Sequence, residues 1–477
     1  MHATTRTEPV RTTTSRTTAP SPARAASRRG FLTAAGAGAA VVGLGGLGLA
    51  GAGTAAAASA PARAAGARWP GLEFTLDPAL LHMNVGTVGS PPVRALDAVD
   101  TELRRIARDA VSGYGEFTDL RRQIAPGFGC DPDELALADN TTDGLCKILA
   151  GLDWRPGDEI VTTDHEHSGG ESPLRVLRDR YGVVLRRVAV PVGNAQRAED
   201  YVRLFAEQIN TRTRALFFSA PTFTTGTMLP IRRLAALAQR HELISIVDGA
   251  HLPGMMAYEY RTLGVDFLAG AGAKWQCGPS GNGVLYVRNK VDPRYNPKPL
   301  PTFWTPVSMQ YPEQGLKPRT DGAKESYDIG GLLSGIGNRQ LANFEGFRTV
   351  CAAWDAIGRR RIEEYVLRLS ARLKEGIAER WGVRALYSPK DDPELVSALS
   401  SFDPHAASGR ITDEGASKEF VSRMRADHAI VVRATSCAVP GSEERHHPIR
   451  VSTHLFHEEA DVDRVLDAMW RVSRAMA

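Results

Sequence analysis

The sequence has few cysteines, and they form no recognisable framework. An odd number of them is scattered along 477 residues, and no two show the CxxC spacing of a zinc site. The five positions are Cys130, Cys146, Cys277, Cys351 and Cys437. This pattern argues against a disulfide scaffold and against a metal site, and it predicts thiols that are mostly buried and inert.

The chain also lacks an excess of charge of one sign. Its net charge is +4, and part of that comes from the first 30 residues, where Glu8 is the only acid. The near-neutral remainder argues against nucleic acid as a partner. Beyond residue 65 there is no run of about 20 apolar residues, so we expect a soluble mature protein.

The first 65 residues have the composition of a targeting segment. A basic start leads to Arg28 and Arg29, then to Phe31, and an apolar Ala/Gly-rich run begins at Ala34. Small residues at 55–65 offer cleavage sites. This order predicts a twin-arginine-type signal and export, by the twin-arginine machinery, to the cell envelope or the medium. A membrane anchor is the weaker alternative, because the Gly-rich run has low hydrophobicity.

After this leader and an N-terminal arm with a helix (residues 66–110), strand and helix patterns alternate. Strands are predicted at 160–163, 183–192, 215–219, 244–247, 267–269 and 284–287, and helices at 142–152, 201–209 and 232–241. Such alternation predicts an α/β domain with a mostly parallel sheet between helices, over residues 111–340. A helical stretch near 338–380, followed by mixed strands and helices, predicts a smaller α+β domain at 341–477.

Three polar features follow predicted strands, where open α/β sheets bind ligands. An apolar strand ends at Asp248, a second runs into small residues around Lys274, and a third is followed by Thr141 and Thr142 at the start of a helix. A confined lysine has a lowered pKa and forms an imine with an aldehyde. A carboxylate can keep a pyridine nitrogen protonated, and a helix N-terminus attracts phosphate. Together these features predict a pyridoxal 5'-phosphate (PLP) site.

The motifs resemble those of class V aminotransferase-fold PLP enzymes, closest to the isopenicillin N epimerase and cysteine desulfurase branch. The resemblance covers nearly all of the chain after residue 81. It rests on MNVGTVGSPP at 83–92, TDHEH at 163–167, VDGAH at 247–251, AKW at 273–275 and RVSTHLF at 450–456. It implies PLP-transferase fold type I, with a mostly parallel seven-stranded sheet, and a homodimer.

The resemblance also implies roles for individual residues. Lys274 corresponds to the Schiff-base lysine, Asp248 to the partner of the pyridine nitrogen, and His167 to the residue stacked on the ring, with His165 as the alternative. Arg450 corresponds to the arginine that binds the substrate α-carboxylate. The expected substrate contacts are Asn84 and Arg450. The expected cofactor contacts are Thr141, Thr142, His165, His167, Thr222, Thr224, Asp248, His251, Lys274 and Gly331.

The chain departs from the family pattern around the cofactor. Ala271 and Ala273 stand where relatives have polar residues near the phosphate, and Gly331 stands where a neighbouring subunit donates a threonine. Phe223 replaces the asparagine that desulfurases place at the ring hydroxyl, and Thr222 or Thr224 is the expected substitute. These changes predict a cofactor site with fewer side-chain contacts.

Three functions remain open at this stage. The first is an epimerase- or aminotransferase-like reaction at Cα of an amino-acid-like small molecule, with Lys274 as the base. The second is a cysteine desulfurase or C–S β-lyase in which Cys437 is the candidate nucleophile, because it lies shortly before Arg450. The third is a non-catalytic protein that keeps the fold and binds a ligand.

Overall fold

A computed structural model describes residues 69–300, 302–306, 308–310 and 328–477. The predicted export leader lies outside these residues and stays a prediction. The helices are α1 (Val93–Asp109), α2 (Glu116–Ile124), α3 (Thr141–Gly151), α4 (Ser168–Tyr181), α5 (Ala198–Ala206), α6 (Ile231–Arg240), α7 (Ile329–Ser334), α8 (Leu341–Ile357), α9 (Arg359–Trp381), α10 (Glu414–His428) and α11 (Glu459–Met476). The strands are β1 (Leu81–His82), β2 (Leu135–Ala138), β3 (Glu159–Thr163), β4 (Val184–Val188), β5 (Thr213–Ser219), β6 (Ile244–Asp248), β7 (Phe267–Ala271), β8 (Gly283–Val287), β9 (Leu399–Phe402), β10 (Ile430–Val431), β11 (Arg433–Ala434) and β12 (Ile449–Ser452).

The predicted mixed sheet is confirmed. Seven strands pair in the order β2-β8-β7-β6-β5-β3-β4, and only β8 runs antiparallel to its neighbours. Strands β6, β7 and β8 are buried along their whole length, which explains their nearly continuous apolar sequences. Because β5, β6 and β7 are parallel, their carboxyl ends meet at one edge of the sheet.

Both faces of the sheet carry an apolar core. Along β5, Leu216 and Phe218 pack in one core, whereas Ala215 and Phe217 pack in the other. This alternation follows from the two-residue period of a strand, whose successive side chains point to opposite faces. The central sheet is therefore a middle layer, and polar ligand groups can be presented only where its strands end.

The C-terminal part differs from the sequence expectation in two places. The predicted helical stretch at 338–380 is two helices, α8 and α9, and the break falls at Gly358, whose φ of 96° suits glycine. The predicted strand at 430–433 is split as well. Its first half, β10, pairs with β1, and its second half, β11, joins the antiparallel sheet β11-β12-β9. This split brings Arg433 and Arg450 directly opposite each other.

Within the described residues, no helix is both long and apolar enough to cross a membrane.

Candidate active site

Asp248 and Lys274 lie at the carboxyl edge of the central sheet, as the sequence predicts. Asp248 is the last residue of β6 and is paired in register with Ala269 of β7, which ends three residues before Lys274. The Asp248 carboxylate is 4% exposed and accepts a hydrogen bond of 3.0 Å from the Ala250 amide. Burial raises its pKa, and the charge of Lys274 counteracts part of that rise.

The Lys274 amine is prepared to lose its proton near neutral pH. Burial lowers its pKa to about 8, and the charges of Arg450 and Arg433 lower it too, while Asp248 opposes them. Within the described part of the chain, Nζ makes no hydrogen bond. The N-terminal segment packs directly against this residue, since the Gly89 amide donates to Ala273 O and a Cβ at Gly89 would lie 2.0 Å from Lys274 O. The lysine is therefore confined, deprotonable and available.

The N-terminus of α3 offers unfilled hydrogen-bonding capacity. Asn140 is the N-cap, and its side chain accepts only from the Asp143 amide, at 3.0 Å, which leaves the first two amides of the helix unbonded by the cap. The Thr141 hydroxyl is buried, and no partner for it occurs among the described residues. Thr142 lies against the next helix, because a Cβ at Gly169 would be 2.4 Å from its hydroxyl. An anion can therefore be bound here.

The structure separates the two histidines that the sequence left open. His167 caps α4, accepts from the Gly169 amide at 3.1 Å and packs edge-on against Phe223. Burial lowers its pKa to about 4, and the charge of Lys274 is the next cause. His165 instead bonds Ala438 O at 2.7 Å and the Thr224 hydroxyl at 3.2 Å. His167 is thus the histidine next to Lys274.

His251 also lies in this cavity. It is fully buried, and its Nδ1 accepts a hydrogen bond of 3.1 Å from Trp275 Nε1. Burial lowers its pKa well below the usual value, and the charges of Lys274 and Arg450 act in the same direction. His251 is therefore a neutral ring beside the lysine.

Asn84 and Arg450 meet, as expected, on the side formed by the small sheet. Arg450 is 1% exposed and donates to Asn84 Oδ1 at 3.2 Å, to the Thr87 hydroxyl at 3.2 Å and to Phe223 O at 2.8 Å. Thr87 and Arg433 are residues that sequence reasoning missed. Arg433 donates to the same Thr87 hydroxyl at 2.8 Å. Thr87 carried a signal, since it lies in the quoted 83–92 motif, whereas Arg433 carried none.

Three expected cofactor contacts take other places in the described chain. The Thr222 hydroxyl bonds Thr225 and Thr227, the Thr224 hydroxyl bonds His165, and both residues are buried. Neither hydroxyl replaces the missing asparagine, because the loop turns Phe223 toward His167 and its neighbours away from it. The Gly331 amide donates to Asp328 at the start of α7, so a role at a partner's site stays a prediction.

Cys437 lies close to the site but is sequestered. It is fully buried, and its backbone forms a bridge with His446. Burial raises the pKa of its thiol to about 12, so at neutral pH it is a thiol and not the nucleophilic thiolate. Its assignment as a nucleophile stays a prediction, and this conformation does not favour it.

A second carboxyl group, which the sequence did not indicate, lies near Asp248. Glu166 accepts hydrogen bonds of 2.5 Å from the hydroxyls of Ser219 and Thr163, and Ser219 is paired in register with Asp248. Burial raises the pKa of Glu166 to about 7, the two hydroxyls lower it, and the charge of Asp248 raises it. Close to neutrality, Glu166 therefore keeps its proton so that Asp248 can remain charged.

Replacing Glu166 by glutamine is expected to flatten the pH dependence of stability. An acid whose pKa rises on folding, here from 4.5 to about 7, binds its proton more tightly in the folded chain. The wild-type free energy of unfolding should therefore fall as pH rises from about 4.5 to about 7, relative to Glu166→Gln. Urea unfolding of both proteins at pH 5 and pH 7.5 measures the difference. Equal changes in the two proteins would contradict the assignment.

The chain resembles known proteins over most of its length. Residues 104–465 match the family model described as Aminotransferase class-V. The isopenicillin N epimerase of Amycolatopsis lactamdurans is 27% identical over 420 residues, which cover 84% of this chain and 97% of the relative. A probable cysteine desulfurase 2 of Mycobacterium leprae is 26% identical over 378 residues, or 76% and 83% of the two chains.

Solved structures share the fold. The cystine C–S lyase C-DES, in complex with its product cysteine persulfide, matches with a TM-score of 0.64 at 23% identity, over 83% of this chain and 97% of that one. Another C-DES structure, also with a TM-score of 0.64 and 23% identity, carries glycine covalently linked to its PLP cofactor and covers 83% of this chain and 96% of that one. At this identity the likeness establishes the architecture alone.

Proposed function

The chain belongs to the class V aminotransferase family, and from that premise we propose that it is a PLP-dependent enzyme that acts at Cα of an amino acid, in an epimerase- or aminotransferase-like reaction. The observation that carries this proposal is the unpaired, buried Lys274 amine, with a pKa of about 8, beside the buried Asp248 carboxylate. Catalytic lysines and carboxylates are typically arranged in this way in sites that exclude water.

The described residues fit PLP. Lys274 Nζ would hold its aldehyde carbon, Asp248 would pair with its ring nitrogen, and the neutral ring of His167 would lie against its face. The N-terminus of α3, with the partnerless Thr141 hydroxyl, would hold its phosphate. When bound, PLP supplies an electron sink for the carbanion that forms at Cα.

The protein groups perform the remaining tasks. Arg450 orients the substrate α-carboxylate from a position fixed by Asn84 and Phe223. Once the substrate amine has displaced it, the Lys274 amine is free to take the Cα proton, and its lowered pKa makes it a base that operates near neutral pH. His251 remains neutral and hydrogen-bonded to Trp275, so it does not compete for that proton.

C–S bond chemistry is the second candidate function, and the relatives named as desulfurases support it. The conformation around Cys437 argues against a desulfurase of the cysteine-nucleophile type, because the thiol is buried and its pKa is about 12. A β-lyase needs no such thiol and requires only the Cα proton step at Lys274. The two candidates therefore share their first step and differ in what leaves the substrate afterwards.

A panel of amino acids incubated with the PLP-loaded protein in deuterium oxide tests the proposal. We expect deuterium at Cα of at least one substrate, with inversion for an epimerase or with keto acid for an aminotransferase. Loss of exchange across the whole panel, in protein with PLP bound, would contradict it. Release of sulfide from cysteine would instead favour the second candidate, and in that case Cys437→Ala is compared with the equally buried Cys351→Ala.

A further inference from the structure

Two arginine side chains share one wall of the active site. Arg433 on β11 and Arg450 on β12 are direct cross-strand partners in the antiparallel sheet. Both donate to the hydroxyl of Thr87, at 2.8 Å and 3.2 Å. Both also lower the pKa of Lys274 and of His167, so their charges act on the same cavity.

No carboxylate balances this pair. Within the described part of the chain neither guanidinium forms an ion pair, and Asp248 lies next to Lys274 instead. Like charges directly opposite each other on two strands destabilise a sheet, and a buried cation without a partner is costly. Burial lowers the pKa of Arg450 to about 9, and the neighbouring Arg433 charge adds to this. The protein keeps an unfavourable arrangement that an anionic ligand would relieve.

The hydrogen-bonding capacity of the pair is only partly used. Arg450 is nearly fully buried, and its Nε has no partner among the described residues. Its two Nη atoms are held by Phe223, Asn84 and Thr87, which fixes the plane of the guanidinium. Arg433 has one contact, to Thr87, so most of its five N–H donors remain for a ligand. A single α-carboxylate on Arg450 would leave the second guanidinium unused.

We propose that the substrate is an acidic amino acid, whose α-carboxylate binds Arg450 and whose side-chain carboxylate binds Arg433. This inference rests on the proposed function, because it defines the substrate class of the same site. It places Arg433 as the residue that selects for a second negative charge, since a buried or half-buried guanidinium discriminates strongly against a ligand that leaves it unpaired.

Binding of carboxylates that carry no amino group tests the inference independently of catalysis. Calorimetric titration of the PLP-loaded protein with succinate and glutarate, against butyrate and valerate, compares diacids with monoacids of equal length. We expect diacids to bind about tenfold to hundredfold more tightly. Arg433→Gln should remove this preference while changing monoacid affinity by less than about threefold, and Arg450→Gln should weaken both classes.

Matched variants keep the result interpretable. Arg433→Lys retains the charge and should recover part of the diacid preference. Arg445→Gln removes a cation from an exposed position nearby, where it bonds Ser436, and should leave the preference intact. Equal losses for monoacids and diacids in Arg433→Gln, or no preference in the wild type, would overturn the inference. Failure of PLP to attach to Lys274 would instead overturn the proposed function, and the carboxylate titration could still be carried out.

Discussion

Replacing Lys274 with alanine is expected to abolish covalent attachment of PLP and to lower the rate of Cα proton exchange at least about thousandfold. The variant loses the amine that holds the aldehyde and also the base that removes the proton. Treatment with borohydride followed by intact mass measurement checks the first effect, because only an imine is reduced to a stable bond. Proton exchange in deuterium oxide checks the second.

The chain provides a matched control for this substitution. Lys374 on α9 is also buried, and burial lowers its pKa to about 7, but its amine donates to Ser397 O, away from the sheet edge. Lys374→Met should therefore retain covalent PLP and full exchange. If Lys374→Met lost the cofactor and Lys274→Ala kept it, the assignment of the cofactor lysine would be wrong.

The part of the site that lies at strand ends could be predicted from the sequence. Asp248 and Lys274 each follow a run of apolar residues whose burial is visible in composition, and parallel strands necessarily bring their carboxyl ends to one edge. Asn84 and Arg450 were found through motifs, and the structure places them in direct contact. Long-range geometry could be inferred here because the α/β architecture constrains it strongly.

The contacts that the sequence did not indicate depend on local register and on loop conformation. Arg433 faces Arg450 because β11 pairs antiparallel with β12 in one particular register, and a shift by one residue would turn it to the other face. The choice between His165 and His167 depends on which of them caps α4. Neither choice follows from residue type, so both needed coordinates.

Replacing Asp248 with asparagine is expected to lower the rate of Cα proton exchange about 10²–10³-fold while PLP remains covalently attached. Removing one partner of a buried charge pair costs about 3–5 kcal/mol, and the ring nitrogen of PLP would lose its anionic partner in the same way. Asparagine keeps an oxygen that can accept the hydrogen bond from the Ala250 amide, so the loss isolates the charge. Exchange rates and borohydride trapping measure the two properties separately.

The same substitution should lower the pKa of Lys274 further below about 8, because Asp248 is the group that raises it against burial. The pH dependence of PLP attachment to the cofactor-free protein measures this shift, whose midpoint should move to lower pH. Asp403→Asn is the matched control, since Asp403 is also buried and accepts from the amide two residues on, that of His405, at 2.7 Å. An Asp403 variant that lost exchange equally would show that any buried carboxylate has this effect. An unchanged midpoint in Asp248→Asn would show that this carboxylate does not act on the lysine, and the catalytic pair would have to be sought elsewhere.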